Sequence, residues 1–140
     1  MYLLMIVGFR FLVVFFFRVQ PALAWTLTNV FHAVATFMSF HWNKGLPYSD
    51  TVLQAGDVAG LTAWEQWSRH PSTFVARQFL TAIPVVLFIV TVTVNRNLPD
   101  GGNDTHLLIN TVATALVVIA KLDVMYKVRV FGINREETDE

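Results

Sequence analysis

The stretch from Trp25 to Trp42 constrains the fold of this chain more than any other. It reads WTLTNVFHAVATFMSFHW, and large apolar side chains would cover most faces of a helix formed by it. A helix of this length rises about 25 Å, close to the hydrocarbon thickness of a bilayer. Five positions recur at spacings of three or four residues and so share one helix face, which we call the polar seam: Trp25, Asn29, His32, Thr36 and Ser39. Because Asn and His are costly against lipid, we expect a transmembrane helix whose polar seam faces protein.

Composition narrows the class of protein further. The chain has 140 residues, of which 54% are hydrophobic and 14% are charged, and its net charge is zero. That length fits a single domain, 1–140. The zero net charge and the lack of any basic block argue against nucleic-acid binding. The sequence has no Cys, which excludes disulfides and thiolate metal sites.

Three further apolar runs have about the length needed to cross a membrane. The sequence therefore predicts an all-α fold, a polytopic membrane protein with four transmembrane helices in a small antiparallel bundle. We place the four spans at about 1–17, 24–42, 79–94 and 107–122. A loop at 43–78 and a tail at 123–140 complete the chain. Pro84 should free one backbone carbonyl of the third span, which neighbouring helices can satisfy.

The first run allows two interpretations. Arg10 lies near its middle, where a cation must snorkel or face a partner. Ala22-Leu23-Ala24 fits the cleavage pattern of a signal peptide, in which case Met1 to Ala24 would be removed. No positive charge precedes the apolar run, and Arg18 interrupts the approach to the cleavage pattern. We favour a retained span, joined to the second by a tight turn that begins at Pro21.

The distribution of basic residues predicts the orientation. If both termini and the long loop are cytosolic, seven Lys and Arg residues lie on that side and two lie opposite, in agreement with the positive-inside rule. The seven are Lys44, Arg69, Arg77, Lys121, Lys127, Arg129 and Arg135, and the two are Arg18 and Arg96. Asn103-Asp104-Thr105 is a glycosylation sequon on the lumenal side. Since it adjoins the fourth span, we expect it to be unused.

The long loop contains a pattern of its own. Leu61 to Trp67 predicts a short helix in which Thr62 and Glu65 have the spacing of a capping box. Its Trp and Leu side chains suggest that this helix lies on the membrane surface or against a partner. Long loops of this kind are commonly functional.

The sequence gives little support for catalysis. His32 and His41 are nine residues apart and fall on different helix faces, so they do not form a metal pair. No phosphate loop, zinc-protease motif or nucleophile elbow occurs. Two other functions stay open at this point: a small transporter or channel that uses the polar seam, and a membrane enzyme with His32 or His41 as base. The first predicts flux through the seam, and the second predicts turnover by the purified chain.

Several short blocks together resemble the ORMDL (Orm) family of endoplasmic-reticulum membrane proteins. Each block is weak alone, but they occur in the family's order and cover most of the chain from Trp25 to Asn134. The blocks are Trp25–Asn29 with His32, Phe40–Gly45 with Pro47, Leu61–Gln66, Arg77–Thr81 with Pro84, Asn110–Thr111, Ala120–Leu122 and Val128–Asn134.

This resemblance implies a four-span protein of the endoplasmic-reticulum membrane with both termini cytosolic. Family members bind serine palmitoyltransferase, the pyridoxal-phosphate enzyme that begins sphingoid-base synthesis, and restrain it when ceramide is plentiful. They have no catalytic centre and no cofactor of their own. The partners implied here are the large subunits of that enzyme and membrane lipids, ceramide among them, with no nucleic acid. The residues expected to form the partner contact or the bundle seam are Trp25, Asn29, His32, Thr36, Trp64, Glu65, Gln66, Arg77, Asn110, Arg129, Phe131, Gly132 and Asn134.

Two departures from the family pattern concern regulation. Family members usually have a polar cytosolic segment before the first span, whereas this sequence starts with Met1-Tyr2-Leu3-Leu4. Ala63 stands where animal members have a His that helps hold ceramide, and Ala has no side-chain donor. Plant members also lack that His. We therefore expect binding to the enzyme to be retained more readily than inhibition that depends on ceramide.

Overall fold

The computed structural model describes residues 2–45, 60–98 and 102–130, and in these ranges the chain is helical with no β-strand. A π-helical turn at Met38–Trp42 extends α2, and short 3₁₀ turns stand at Pro71–Thr73 and Asp123–Met125. The five α-helices of the described ranges are α1 (Tyr2–Phe17), α2 (Pro21–Phe37), α3 (Ala63–Ser68), α4 (Phe74–Arg96) and α5 (Asp104–Ala120). The all-helical class predicted from the sequence is confirmed for these residues.

Helix α2 is the centre of the arrangement. It packs on α1, α4 and α5, and α4 and α5 also pack on each other. Helix α1 packs chiefly on α2 and buries a single side chain, Val13. The two run antiparallel, since Arg10 contacts Trp25 and Tyr2 reaches Thr36. The bundle is thus a three-helix core with α1 on its outside.

Two helices begin earlier than the sequence predicted. Helix α2 starts at Pro21 instead of 24, because a proline in the first helical turn has no N–H to leave unpaired. Helix α5 starts at Asp104 instead of 107, because the Asn103 side chain accepts a hydrogen bond from the backbone N–H of Thr105 at 2.8 Å. It also ends at Ala120, two residues short of the predicted span.

The predicted loop at 43–78 is shorter than expected. Helix α4 runs over Phe74–Arg96 instead of 79–94, and the 3₁₀ turn at Pro71–Thr73 leads directly into it. The short helix expected inside the loop is present as α3, with both hydrogen bonds of the capping box formed between Thr62 and Glu65. Local capping chemistry therefore predicted α3 correctly, and helix α4 extends into the predicted loop.

The described helices differ in their capacity to cross a membrane. The segment Pro71–Arg96, with 26 residues, is long and apolar enough to do so. The helices Tyr2–Phe17 and Asp104–Ala120 are apolar but shorter. The four-span topology consequently stays a prediction.

The interior of the bundle is more polar than its exterior. Large apolar side chains lie on the outside of α1, α2, α4 and α5, with Leu4, Phe17 and Val75 each more than 70% exposed. Many small and polar side chains lie in the interior, together with a few larger apolar ones such as Ile83, Leu87 and Val117; the small and polar ones are Ala22, Ala24, Thr26, Thr28, Asn29, Ala33, Thr36, Thr91, Asn95, Asn110 and Thr114. In water-soluble proteins the large apolar residues are the ones most often buried. Small residues and interhelical hydrogen bonds between helices are typical of packing in membranes.

Candidate functional site

The first cluster of functional candidates is a set of amide and hydroxyl groups between α2 and α5, which we call the asparagine cluster. Asn29 donates from Nδ2 to Asn110 Oδ1 at 2.8 Å and to Thr114 Oγ1 at 3.3 Å. Asn110 donates in turn to Thr26 Oγ1 at 2.9 Å. Both Asn side chains are 1% exposed. The predicted inward seam is therefore present at Asn29, and its contacts lie within the bundle.

Removing either amide should weaken the bundle, and the two losses should not add. We expect Asn29→Ala and Asn110→Ala in a double-mutant cycle to show a coupling of about 1 kcal/mol, because each truncation already breaks the shared hydrogen bond. Equilibrium unfolding in detergent micelles measures this coupling. Thr111→Ala is the matched control, since Thr111 is exposed and its hydroxyl bonds, among the described residues, to the Leu107 carbonyl of its own helix. A coupling between Asn29 and Asn110 no larger than that between Asn29 and Thr111 would contradict the cluster.

The rest of the polar seam faces α1. The hydroxyl of Tyr2 bonds to His32 Nε2 and lies 3.3 Å from Thr36 Oγ1. Trp25 lies under the guanidinium of Arg10, with 4.9 Å between the Arg10 Cζ atom and the ring centroid. A cation over an indole face is attracted by the ring quadrupole, which provides the partner that Arg10 requires. Ser39, the last member of the seam, is exposed.

The second cluster, which we call the carboxylate clasp, joins α3 to the residues after α5. Arg129 donates from Nη1 to Glu65 Oε1 at 2.7 Å and from Nη2 to Oε2 at 3.0 Å. The backbone N–H groups of Thr62 and Lys127 donate to the same carboxylate at 2.8 and 2.9 Å. Glu65 is 5% exposed, and the backbone of Lys127 adopts a positive φ of 60° where its N–H meets the carboxylate. Four donors thus hold one buried acid.

These contacts set the charge state of Glu65. Burial by itself raises the pKa of its carboxyl, but the hydrogen bonds from Arg129, Thr62 and Lys127 and the charge of the guanidinium lower that pKa to about 2. Glu65 is therefore ionised and fully committed to hydrogen bonds. A carboxylate in this state is a poor general base, because proton uptake would cost the clasp its charge.

The depressed pKa predicts an acid-dependent loss of stability. The folded pKa of about 2 lies below the ordinary value of 4.5, so the clasp stabilises the folded chain fully above about pH 4.5 and loses this effect as the pH falls towards 2. We expect the loss to be on the order of 2 kcal/mol, after a discount for solvent near the partly exposed Arg129. Unfolding free energies measured at successive pH values for wild type and Glu65→Gln should converge across this window. A constant difference between the two curves would contradict the lowered pKa of Glu65.

The neighbours of Glu65 on α3 also face inward. Trp64 is 5% exposed, and its indole Nε1 donates to the Lys121 carbonyl at 3.3 Å. Gln66 is 8% exposed and donates to the carbonyls of Gly45 and Leu61, each at 3.0 Å. The partner contact expected for these side chains stays a prediction, and their contacts in the structure are internal.

Lys121 is a buried residue that the sequence reasoning missed. Its Nζ atom donates to the Leu80 carbonyl at 2.6 Å and lies 5.6 Å from the centroid of the Trp64 ring, and the residue is 4% exposed. In a helix the carbonyl of Leu80 would bond to the N–H of residue 84, which is a proline without one. Lys121 therefore satisfies the carbonyl that Pro84 frees. The combination of a Pro inside one apolar run and a Lys at the end of the next was the available signal.

Of the remaining candidate residues, the structure describes Arg77 alone. Arg77 forms an ion pair with Asp123 at 3.3 Å, but the Asp123 side chain is 89% exposed, so the pair contributes little. Phe131, Gly132 and Asn134 lie outside the described residues.

A cavity of about 190 Å³ lies beside the clasp. Glu65 and Arg129 line it together with Trp42, Trp64 and Tyr126. The rest of its lining is mixed: apolar side chains such as Leu122 and Val128 stand beside polar ones such as His41 and Asp123. The clasp, α3, the π-helical turn of α2 and the segment after α5 thus meet at one end of the molecule.

The fold and the site together define the class to which this protein belongs. In its described residues this is a small helical protein with an apolar exterior, whose buried polar side chains mostly bond to backbone groups or to one another. Across 2–45, 60–98 and 102–130, no three His, Asp or Glu side chains are grouped as a metal site requires.

Comparison with known proteins identifies the family. The model of the ORMDL family matches residues 1–129. ORM1-like protein 3 of Mus musculus is 33% identical over 117 residues, which cover 84% of this chain and 72% of the relative. ORM1-like protein 2 of Homo sapiens is 36% identical over 111 residues, 79% of this chain and 68% of the relative. The ORM1-like protein of Drosophila melanogaster is 35% identical over 112 residues, 80% and 68% of the two chains.

The chain belongs to the ORMDL family. The resemblance that the sequence blocks indicated is therefore confirmed. The names of these relatives carry no enzyme designation.

Proposed function

We propose that this protein is a non-catalytic regulatory subunit of serine palmitoyltransferase, which it binds and restrains in the endoplasmic-reticulum membrane. Membership of the ORMDL family is the single observation that carries this proposal. Its activity would control the supply of sphingoid bases and hence of ceramide. The partners would be the large subunits of the enzyme.

The distribution of side chains supports a membrane location. Exposed Phe, Leu and Val side chains cover the outer faces of the long helices, and Asn and Thr side chains lie inside. Water would penalise this exterior, whereas lipid would not. We infer four spans, α1, α2 with its π-helical turn, α4 and α5, with both termini and the α3 segment in the cytosol. The two shorter spans would be accommodated by thinning of the bilayer.

The bonding of the polar groups supports a role without catalysis. Asn29 and Asn110 bond to each other, and Glu65 is held by Arg129 and two backbone N–H groups. Groups committed in this way are poorly placed to relay protons or to activate a nucleophile. They also support internal packing over the channel alternative, which requires a polar seam open to water.

The clasp end of the molecule is the surface that we propose for the enzyme contact. Glu65 and Arg129 fix α3 against the described residues after α5, so these two parts of the chain form one unit. A pre-ordered surface loses less conformational entropy on binding. Ala63, at the start of α3, presents no side-chain donor to a lipid headgroup. We therefore place the regulatory contact with the enzyme in this unit and not in a direct hydrogen bond from position 63.

Affinity purification from membranes tests the proposal. The tagged full chain, extracted in mild detergent, should co-purify the large subunits of serine palmitoyltransferase, identified by mass spectrometry. Arg129→Met should reduce this recovery because it releases the clasp, whereas Arg96→Met, at an exposed residue on the opposite side of the proposed membrane, should leave it unchanged. Equal recovery of the enzyme with an unrelated four-span protein would overturn the proposal.

A further inference from the structure

Three cations from three different parts of the chain meet at the turn that follows α5. Arg69, directly after α3, donates from Nε to the hydroxyl of Tyr126 at 3.0 Å. The Nζ atom of Lys127 lies 5.9 Å from the centroid of the same ring. Arg77, in the first turn of α4, contacts Asp123 at 3.3 Å, and the N–H of Tyr126 donates to the Asp123 carbonyl at 3.1 Å. We call the surface formed by Arg69, Arg77 and Lys127 the basic rim.

The positive charge of the basic rim is only weakly balanced by the acids that the structure describes. Asp123 is the acid that contacts the rim, and its exposed side chain attracts Arg77 little. Glu65, at the same end of the molecule, is already paired with Arg129. Among the described residues, the Nη groups of Arg69 and the Nε atom of Arg77 have no hydrogen-bond partner. Cations with free donors of this kind suit a phosphate ligand.

Apolar side chains beside the basic rim indicate where such a phosphate comes from. Phe74 and Val75 begin α4, and Val124 lies in the 3₁₀ turn Asp123–Met125. All three are more than half exposed. At a membrane surface, side chains of this kind enter the boundary of the acyl chains while neighbouring cations meet the headgroups. A phosphate ion free in water would gain nothing from them, so the expected ligand is the phosphate of a lipid.

We propose that the basic rim binds an anionic phospholipid of the cytosolic leaflet through the phosphate of its headgroup. Arg69 and Lys127 supply donors and positive charge to the phosphate, and the acyl chains lie along Phe74 and Val75. A zwitterionic lipid is bound less well, because its headgroup also carries a cation that the rim repels. This inference rests on the membrane location and orientation proposed above, but it requires lipid alone and no enzyme.

Lipid retention by the full chain tests this proposal. The chain is reconstituted in vesicles of equimolar phosphatidylglycerol and phosphatidylcholine, extracted in mild detergent and purified, and the retained lipids are quantified by mass spectrometry. Wild type should retain phosphatidylglycerol over phosphatidylcholine by roughly fivefold or more, and this preference should decline as salt screens the exposed charges. An excess of glycerophosphate, which has the phosphate but no acyl chains, should not displace the lipid.

Two double variants that lose the same charge provide the comparison. Arg69→Gln with Lys127→Gln removes two cations of the basic rim and should bring the retention ratio close to about one. Arg18→Gln with Arg96→Gln removes two cations at the opposite end of the bundle and should leave the ratio of wild type unchanged. All four side chains are exposed, so neither variant should disturb the fold. Circular dichroism checks that the helices of both are intact.

Equal retention of the two lipids by wild type, an equal loss of preference in both double variants, or displacement by glycerophosphate would each overturn the lipid site. If the preference emerged only after Glu136→Gln and Glu137→Gln, the chain's own acidic end would be the occupant instead. If the rim variant lost recovery of the enzyme but kept the lipid preference, the rim would belong to an acidic surface of the partner.

Flotation with phosphatidylcholine vesicles separates this proposal from the membrane location itself. Wild type should float with these vesicles, because its apolar exterior and not the basic rim anchors it. A chain that floats but shows no preference for phosphatidylglycerol would overturn the lipid site alone. A chain that does not float would overturn the membrane location, and the lipid site with it.

Discussion

Replacing Arg129 by Met is expected to lower the free energy of unfolding by about 3 kcal/mol. The substitution leaves the carboxylate of Glu65 buried without its guanidinium, and breaking a buried pair in this way is among the more damaging single changes. Two backbone N–H groups still bond to that carboxylate, which limits the cost. Equilibrium unfolding in mixed micelles, followed by circular dichroism, measures the change.

A second, exposed ion pair is the control for this prediction. Arg77→Met removes a partner of Asp123, whose side chain is 89% exposed, and should cost less than about 0.5 kcal/mol. The Glu65→Gln change should cost much less in the Arg129→Met background than in wild type, because it then removes a carboxylate that has already lost its counter-charge. Equal costs for the Arg77→Met and Arg129→Met variants would show that the clasp does not stabilise the fold.

Substituting Lys121 by Met should lower the free energy of unfolding by an amount that depends on residue 84. In wild type the change leaves the Leu80 carbonyl without a donor in a buried site, an effect of about 1–3 kcal/mol. In the Pro84→Ala background, the backbone N–H of the introduced alanine can bond to that carbonyl and make Lys121 dispensable. We therefore expect the cost of Lys121→Met to be at least about 1 kcal/mol smaller in the Pro84→Ala background.

Lys127→Met is the control for this comparison of Lys121→Met in the wild-type and Pro84→Ala backgrounds. The Lys127 side chain is exposed over the ring of Tyr126, and only its backbone N–H takes part in the clasp. Its substitution should stay within about 0.5 kcal/mol of wild type in both backgrounds. If Lys121→Met cost the same with Pro84 in place as in the Pro84→Ala background, the pairing of Lys121 with the carbonyl that Pro84 frees would be refuted.

Local sequence patterns predicted much of the fold. The capping box of Thr62 and Glu65 is formed, and Asn110 and Thr114 lie on one side of α5, both bonded to Asn29. Helical periodicity alone placed Asn29, His32 and Thr36 of the polar seam inside, because it repeats over short distances that a helix fixes, whereas Ser39 at the end of the seam is exposed. The helix-start signals of Pro21 and Asn103 were given too little weight in the prediction. Helices α2 and α5 therefore each begin three residues earlier than predicted.

Contacts between residues that are far apart in the sequence could not be predicted in the same way. Glu65 and Arg129 are 64 positions apart, and no local rule connects them. Trp64 is 5% exposed and its ring contacts Phe40 and His41, so its apolar surface is used within the chain. A Trp64→Ala substitution would consequently alter stability and any partner contact together. Arg129→Met also changes both, so its free energy of unfolding has to be measured together with its recovery of the enzyme.

The central claim is that this chain restrains serine palmitoyltransferase without chemistry of its own. The most direct measurement is the rate of sphingoid-base formation by the purified enzyme in vesicles, with and without the full chain. The account predicts a lower rate when the chain is present, partial recovery of the rate with Arg129→Met, and no turnover by the chain alone. An enzyme rate that does not change with any amount of added chain, or sphingoid-base formation by the chain by itself, would contradict it.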